Sequence, residues 1–107
     1  MPSPKPESSQ FRFDVERSMA LLPDGKVTTY GDLAALAGHP YAARVVGGVA
    51  HYGNPELPWH RVVNRHGGLA NGYPGGMEAQ RQHLEAEGIT CIDYIVDDFA
   101  TLRWRPE

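Results

Sequence analysis

The chain holds one thiol, five imidazoles and a Trp-His-Arg run as its candidates for chemistry. Cys91, its single cysteine, can form neither an internal disulfide nor a cysteine-rich zinc site. It lies in Ile89-Thr90-Cys91-Ile92, an apolar, strand-like stretch after Gly88, where a free cysteine is expected as a buried small hydrophobe with a raised pKa. His39, His51, His66 and His83 have no ligand-like spacing with acidic partners, so they are expected as surface or satisfied residues, with no metal and no cofactor bound. There remains Pro58-Trp59-His60-Arg61-Val62-Val63. Trp59 offers an indole N–H donor but no lone pair suited to displacing a leaving group. Arg61, Arg65 and Lys26 could each reach a phosphate, although isolated surface cations usually do nothing specific, and a structural role suits Arg61 equally well.

These residues need elements to position them. Phe11, Val15, Met19 and Leu22 recur at helical spacing, with Ser8 or Ser9 as the cap and Pro23-Asp24-Gly25 as the stop. Lys26 to Tyr30 is short, β-branched in part and bounded by glycines, an extended segment that delivers Tyr30 to a helix start. Asp32 to Ala37 favours helix and ends at Gly38, and Tyr41 to Ala50 resumes the pattern, which together predict a helix-turn-helix. The second helix is unusual because Ala42, Ala43, Gly47 and Gly48 are small, and each exposed helical Gly costs about 1 kcal/mol relative to Ala. Something must approach it closely, either a neighbouring helix or a nucleic-acid backbone.

Turn-rich Gly53 to Pro58 and glycine-rich Asn71 to Gly76 flank the Trp-His-Arg run. Met77 to Glu87 predicts a helix stopped by Gly88. Ile89 to Ile92 and Phe99 to Trp104 are then expected to pair as strands across Asp97-Asp98. The Pro- and Ser-rich residues 1–9 read as a flexible tail, and residues 10–107 as one domain, mainly α with a small β element.

Composition alone does not point to nucleic acid. With a formal net charge of −3, broad attraction to phosphate is not expected, so any such surface must be local. No apolar run approaches the roughly 18 residues that a membrane span requires. The opening residues lack the pattern of a secretory signal, and a cytoplasmic location is expected.

The run Pro58-Trp59-His60-Arg61-Val62 resembles the Pro-Cys-His-Arg-Val active-site run of the O6-alkylguanine-DNA alkyltransferases, with Trp where the alkyl-accepting Cys stands. Val27 to Ala34, Ala42 to Gly48, Gly53-Asn54-Pro55, Tyr73-Pro74-Gly75-Gly76 and Glu87-Gly88 are similar to that family and fall in its order, over roughly residues 10 to 90. The Pro-Trp-His-Arg version looks like the alkyltransferase-like proteins, a subgroup that recognises alkylated guanine without repairing it. The implied fold is the winged-helix-like, helix-turn-helix DNA-binding domain of the alkyltransferase C-terminal type. The implied partners are double-stranded DNA carrying O6-alkylguanine and nucleotide-excision repair proteins, with the protein acting as a monomer.

The resemblance also implies roles. Arg44 matches the arginine that enters the base stack where the damaged nucleotide flips out, and Tyr30 the tyrosine that rotates the target phosphate; a planar cation can refill the gap by stacking. Ala42, Ala43, Gly47 and Gly48 would let the helix approach the narrow minor groove. His60, Glu87 and Asn54 match the network that activates the thiolate, which here has nothing to activate, so His60 and Glu87 are expected as a buried polar pair in the pocket wall. Trp59 either fills core volume or, beside the pocket, contacts the flipped base or its alkyl group. Pro58, Arg61, Val62, Tyr73 and Gly75 complete the expected lesion pocket. Pro74 departs from the hydroxyl residue of human-type enzymes and removes a donor to the alkylated oxygen. Two alternatives remain: an active transferase using another nucleophile, and a helix-turn-helix regulator reading sequence in the major groove.

Overall fold

The computed structural model describes residues 9–105. Residues 1–8 of the expected 1–9 tail, with the Ser8 cap, lie outside them, while Ser9 opens the first helix. The elements run α1 (Ser9–Leu21), β1 (Thr28–Thr29), α2 (Tyr30–Leu36), α3 (Ala43–Tyr52), a 3₁₀ turn (Trp59–Arg61), β2 (Val62–Val63), α4 (Gly76–Ala86), β3 (Cys91–Ile92), β4 (Ile95–Val96) and α5 (Phe99–Leu102). The molecule is mainly helical with a small β element. Among the described residues no helix is long and apolar enough to cross a membrane.

Helix α1 buries Phe11, Val15 and Met19, one residue per turn on a single face. Thr29 ends β1 in extended backbone and caps α2, its hydroxyl accepting from Asp32 N–H at 2.9 Å. Tyr30 therefore starts the helix, as the short extended segment predicted. Helix α3 begins at Ala43, with Ala42 at the cap rather than inside the helix. Leu33, Ala34, Val46 and Val49 of the α2–α3 pair close on α1, Trp59 and Val62 to form one core cluster.

β1 and β2 pair in parallel, Thr28 with Val62 and Thr29 with Val63. Because side chains alternate along a strand, Val62 enters the first cluster and Val63 a second, shared with Val27, Leu69, Leu84, Ile89 and Val96. This short pairing hands the chain from the helix-turn-helix to α4. Arg103 adds a clamp, donating to both carboxylate oxygens of Asp32 at 2.8 and 2.9 Å.

The C-terminal pairing differs from the expected one. β3 pairs antiparallel with β4, Cys91 opposite Val96 and Ile92 opposite Ile95. The connection is Asp93-Tyr94, both at positive φ (52° and 60°), as a two-residue hairpin turn that follows strand twist requires. Phe99 to Leu102 is helical, and of the expected second strand only Arg103 makes a bridge, parallel to Val27. Asp97-Asp98 is the entry to α5 and not the hairpin turn.

Candidate functional site

The 3₁₀ turn puts Trp59 in the core wall, where the residue is 8% exposed. Its Nε1–H donates to the carbonyl of Asn54 at 2.8 Å. The chain can turn there because residue 53 is glycine: a Cβ would stand 2.4 Å from the carbonyl oxygen of Val49 and 3.4 Å from Trp59 Cζ2. Asn54 N–H donates to Glu16 at 2.9 Å, and its Oδ1 accepts from Glu56 N–H at 3.0 Å. The Asn54 side chain thus closes its own turn, a common asparagine role, and is not part of a network with His60 and Glu87 as the resemblance implied.

Glu87 is instead shared by His60 and Arg61. His60 Nε2–H donates to Oε1 at 2.7 Å, Arg61 Nε–H to the same oxygen at 3.0 Å, and Arg61 Nη2 reaches Oε2 and, at 3.0 Å, Asp24. The Arg61 bonds foremost, with His60 assisting and burial opposing, hold the Glu87 carboxyl below its usual range. Arg61 is 7% exposed, so its cation is consumed inside the fold and the structural reading holds. His60 and Glu87 are less buried than expected, their side chains 20% and 27% exposed: His60 lines the larger cleft and Glu87 caps the C-terminus of α4.

Two clefts open beside Trp59. One of about 230 Å³ is lined by Tyr30, Gly47, Ala70 and Gly72, and one of about 410 Å³ by Gly53, Leu57, Pro58, His60 and His83. Ala50, His51, Trp59, Tyr73 and Pro74 line both. Trp59 is therefore a core residue and a cleft wall at once. Tyr30, with its hydroxyl pKa pushed up by burial, faces the smaller cleft. Other expected pocket residues do not line either cleft. Val62 is fully buried and Arg61 nearly so, while Gly75 serves as the cap of α4 at φ 86°.

On α3, Arg44 and Gly48 are exposed, and Ala43 and Gly47 are half-buried. A Cβ on Gly47 or Gly48 would meet nothing within 4 Å, so close packing against a neighbouring helix does not explain these glycines. Ala42 is a correction. It is 8% exposed and belongs to the core, where its small side chain fits under α2 and α1 instead of facing a partner.

Three features were not legible in the sequence. Gln80 is fully buried, donating to the carbonyls of His60 and Val62 at 3.0 Å each and accepting from Ala70 N–H at 2.7 Å. His83 Nδ1 lies 2.6 Å from Tyr73 Oη, and His51 lines both clefts. His39, expected as surface or satisfied, has a buried Nε2 with no hydrogen-bond partner among the described residues. Cys91 is half-buried on β3, less enclosed than expected, because its strand lies at the surface. Burial chiefly, and Glu85, push its thiol pKa up. It lines neither cleft.

Residues 10–89 match the family described as "6-O-methylguanine DNA methyltransferase, DNA binding domain". A DNA base-flipping protein of Escherichia coli is 51% identical over 89 residues, 80% of this chain and 67% of that protein. A methylated-DNA–protein-cysteine methyltransferase of Salmonella typhimurium is 42% identical over 85 residues, 77% of this chain, which spans only 48% of that enzyme. Among solved structures, Schizosaccharomyces pombe Atl1 in complex with damaged DNA containing O6-carboxymethylguanine superposes with a TM-score of 0.79 at 31% identity, covering 94% of this chain and 99% of that one.

Proposed function

This chain belongs to the 6-O-methylguanine DNA methyltransferase DNA-binding domain family, and we propose that it is a damage-recognising member that binds O6-alkylguanine in duplex DNA, flips the base into the Trp59 clefts and transfers nothing. The observation that carries this reading is the environment of Trp59: an indole on the wall of two clefts, its only polar hydrogen engaged by Asn54. A ring there offers apolar contact to a base or alkyl group and no electron pair for attacking it. The His60–Glu87 pair that would serve a thiolate instead fixes the cleft rim and the buried Arg61.

The DNA face is α3 with the start of α2. Arg44 enters the stack as the base leaves it, Tyr30 crowds the target phosphate, and the space over Gly47 and Gly48 admits the backbone of a narrow groove. Unstacking a base costs a few kcal/mol, least for a damaged one, so discrimination is shared between flipping and fit in the clefts. Because that fit rests on shape and apolar contact, several O6-alkyl groups are tolerated. A bound lesion that is not removed needs a second activity, and nucleotide-excision repair proteins are the proposed recipients.

Two measurements test the reading. Duplexes with and without one O6-alkylguanine should differ in affinity by tenfold or more, roughly the value of one good contact set, and intact mass after incubation with O6-methylguanine DNA should be unchanged. A mass gain of one methyl group would establish transfer through another nucleophile, for which Cys91 is poorly placed. Equal affinity for both duplexes would favour a sequence-reading regulator, against which α3 already counts: Val46 is buried, Val45 is half-buried and few polar side chains are presented.

A further inference from the structure

Helix α4 carries Gln80 and His83, and Glu87 caps its C-terminus; the spacings of three and four set the three side chains on one side of the element. Their partners include the cleft-wall residues His60, Ala70 and Tyr73, together with Arg61 and Val62, which are buried beside His60. Gln80 holds the main chain of His60 and Val62 on one side and of Ala70 on the other. Glu87 holds the side chains of His60 and Arg61. His83 holds Tyr73 by the 2.6 Å contact, with the rings 5.6 Å apart at 71°. A single helix thus suspends both the Trp59 turn and the 70–76 loop, and the three anchors set the distance between them.

The anchors are not equally firm. Gln80 is fully buried with three hydrogen bonds, so releasing it would strand polar groups away from water. The Tyr73–His83 bond is solvent-exposed, and breaking it exchanges one bond for others to water, a modest loss. Tyr73 and Pro74 line both clefts, whereas His83 lines only the larger. If the loop moves, it moves at this end, and the larger cleft widens.

We propose that His83 is a positioning residue whose bond to Tyr73 latches the loop at the width that suits a small O6 substituent, so that the latch grades lesions by size. This rests on the reading of the clefts as a base pocket. A methyl group is gripped with the latch closed. A bulkier substituent is admitted by opening it, at the cost of one exposed hydrogen bond.

The test uses the full chain and three duplexes, carrying guanine, O6-methylguanine or O6-benzylguanine at one position. Wild type is compared with Tyr73→Phe, His83→Ala, the double variant and His83→Asn, whose amide nitrogen can occupy the place of Nδ1. Each single variant should lower the O6-methyl to O6-benzyl affinity ratio by about fivefold, the value of one such bond. The double variant should fall no further, since both changes remove the same contact, and His83→Asn should restore the ratio. An unmoved ratio in His83→Ala, or losses that multiply in the double variant, overturns the latch while leaving the pocket intact, provided wild type prefers both lesions to guanine. Wild type that holds all three duplexes equally overturns the pocket, and the latch with it.

Discussion

Trp59 Nε1 and the carbonyl oxygen of Asn54 stand 2.8 Å apart, and through this bond the side chain on the cleft wall braces the loop that precedes it. The ring has a packing role and a polar role that two substitutions separate. Trp59→Phe keeps most of the volume and leaves the carbonyl without its donor, a loss of about 1 to 2 kcal/mol. Trp59→Ala empties a site that is 8% exposed and should cost about 3 to 5 kcal/mol. Urea denaturation of the two variants checks the order, and equal losses would mean that the ring packs nothing.

Gly48 and Gly53 make opposite predictions from the same substitution. A methyl group on Gly48 meets nothing within 4 Å, so Gly48→Ala should stabilise the free protein by about 1 kcal/mol through helix propensity. If duplex DNA lies over α3 as proposed, the same methyl group should weaken its binding by filling that space. At Gly53 the methyl would stand 2.4 Å from a backbone oxygen, so Gly53→Ala should destabilise and shift the Trp59 fluorescence. Thermal melts paired with duplex titrations read both. A Gly48→Ala variant that is more stable and binds as well as wild type would remove α3 from the interface.

Acid should weaken the fold through Glu87 and Asp32. Arg61 holds the Glu87 carboxyl below its ordinary value of 4.5. For Asp32 burial pulls upward, but the bonds from Arg103 prevail and the net direction is down. A carboxylate with a depressed folded pKa contributes stability above its unfolded value and loses it as pH falls through the folded one. Stability should therefore be level from about pH 5 upward with respect to these two groups and fall below it. Glu87→Gln should lower stability near neutrality, because Arg61 keeps only Asp24, and should make the acid limb shallower without flattening it, since Asp32 remains. Denaturation midpoints from pH 3 to 7 decide this.

Much of this architecture could be read in advance where local rules coincide with the final contacts. The apolar spacing of Phe11, Val15 and Met19 reports the α1 face directly, and the extended segment from Lys26 to Tyr30 reports the helix start that the fold uses. The hairpin turn was hidden because Asp93-Tyr94 lacks the glycine that usually marks left-handed backbone. Gln80 was hidden for another reason. A glutamine on a helix ordinarily faces water, and only the arrival of His60, Val62 and Ala70 main chain turns that position into a buried junction. The motif around Trp59 was legible as a string, yet Arg61, which a string cannot tell from a phosphate contact, belongs to the interior.

Arg44 is left as the exposed cation on α3, and its chemistry makes the sharpest prediction about DNA. A planar guanidinium can stack between bases and donate in the plane, whereas a lysine ammonium supplies only point charge. If Arg44 fills the gap left by a flipped base, Arg44→Lys should behave almost like Arg44→Ala, each losing roughly tenfold or more in affinity for an O6-methylguanine duplex, a share of the few kcal/mol that flipping costs. If Arg44 merely meets a phosphate, Arg44→Lys should retain affinity and only Arg44→Ala should flatten the salt dependence. Duplexes with 2-aminopurine beside the lesion give an independent readout. Its fluorescence should rise on binding to wild type and rise less with either variant, and a full rise with Arg44→Ala would assign the flipping to another residue.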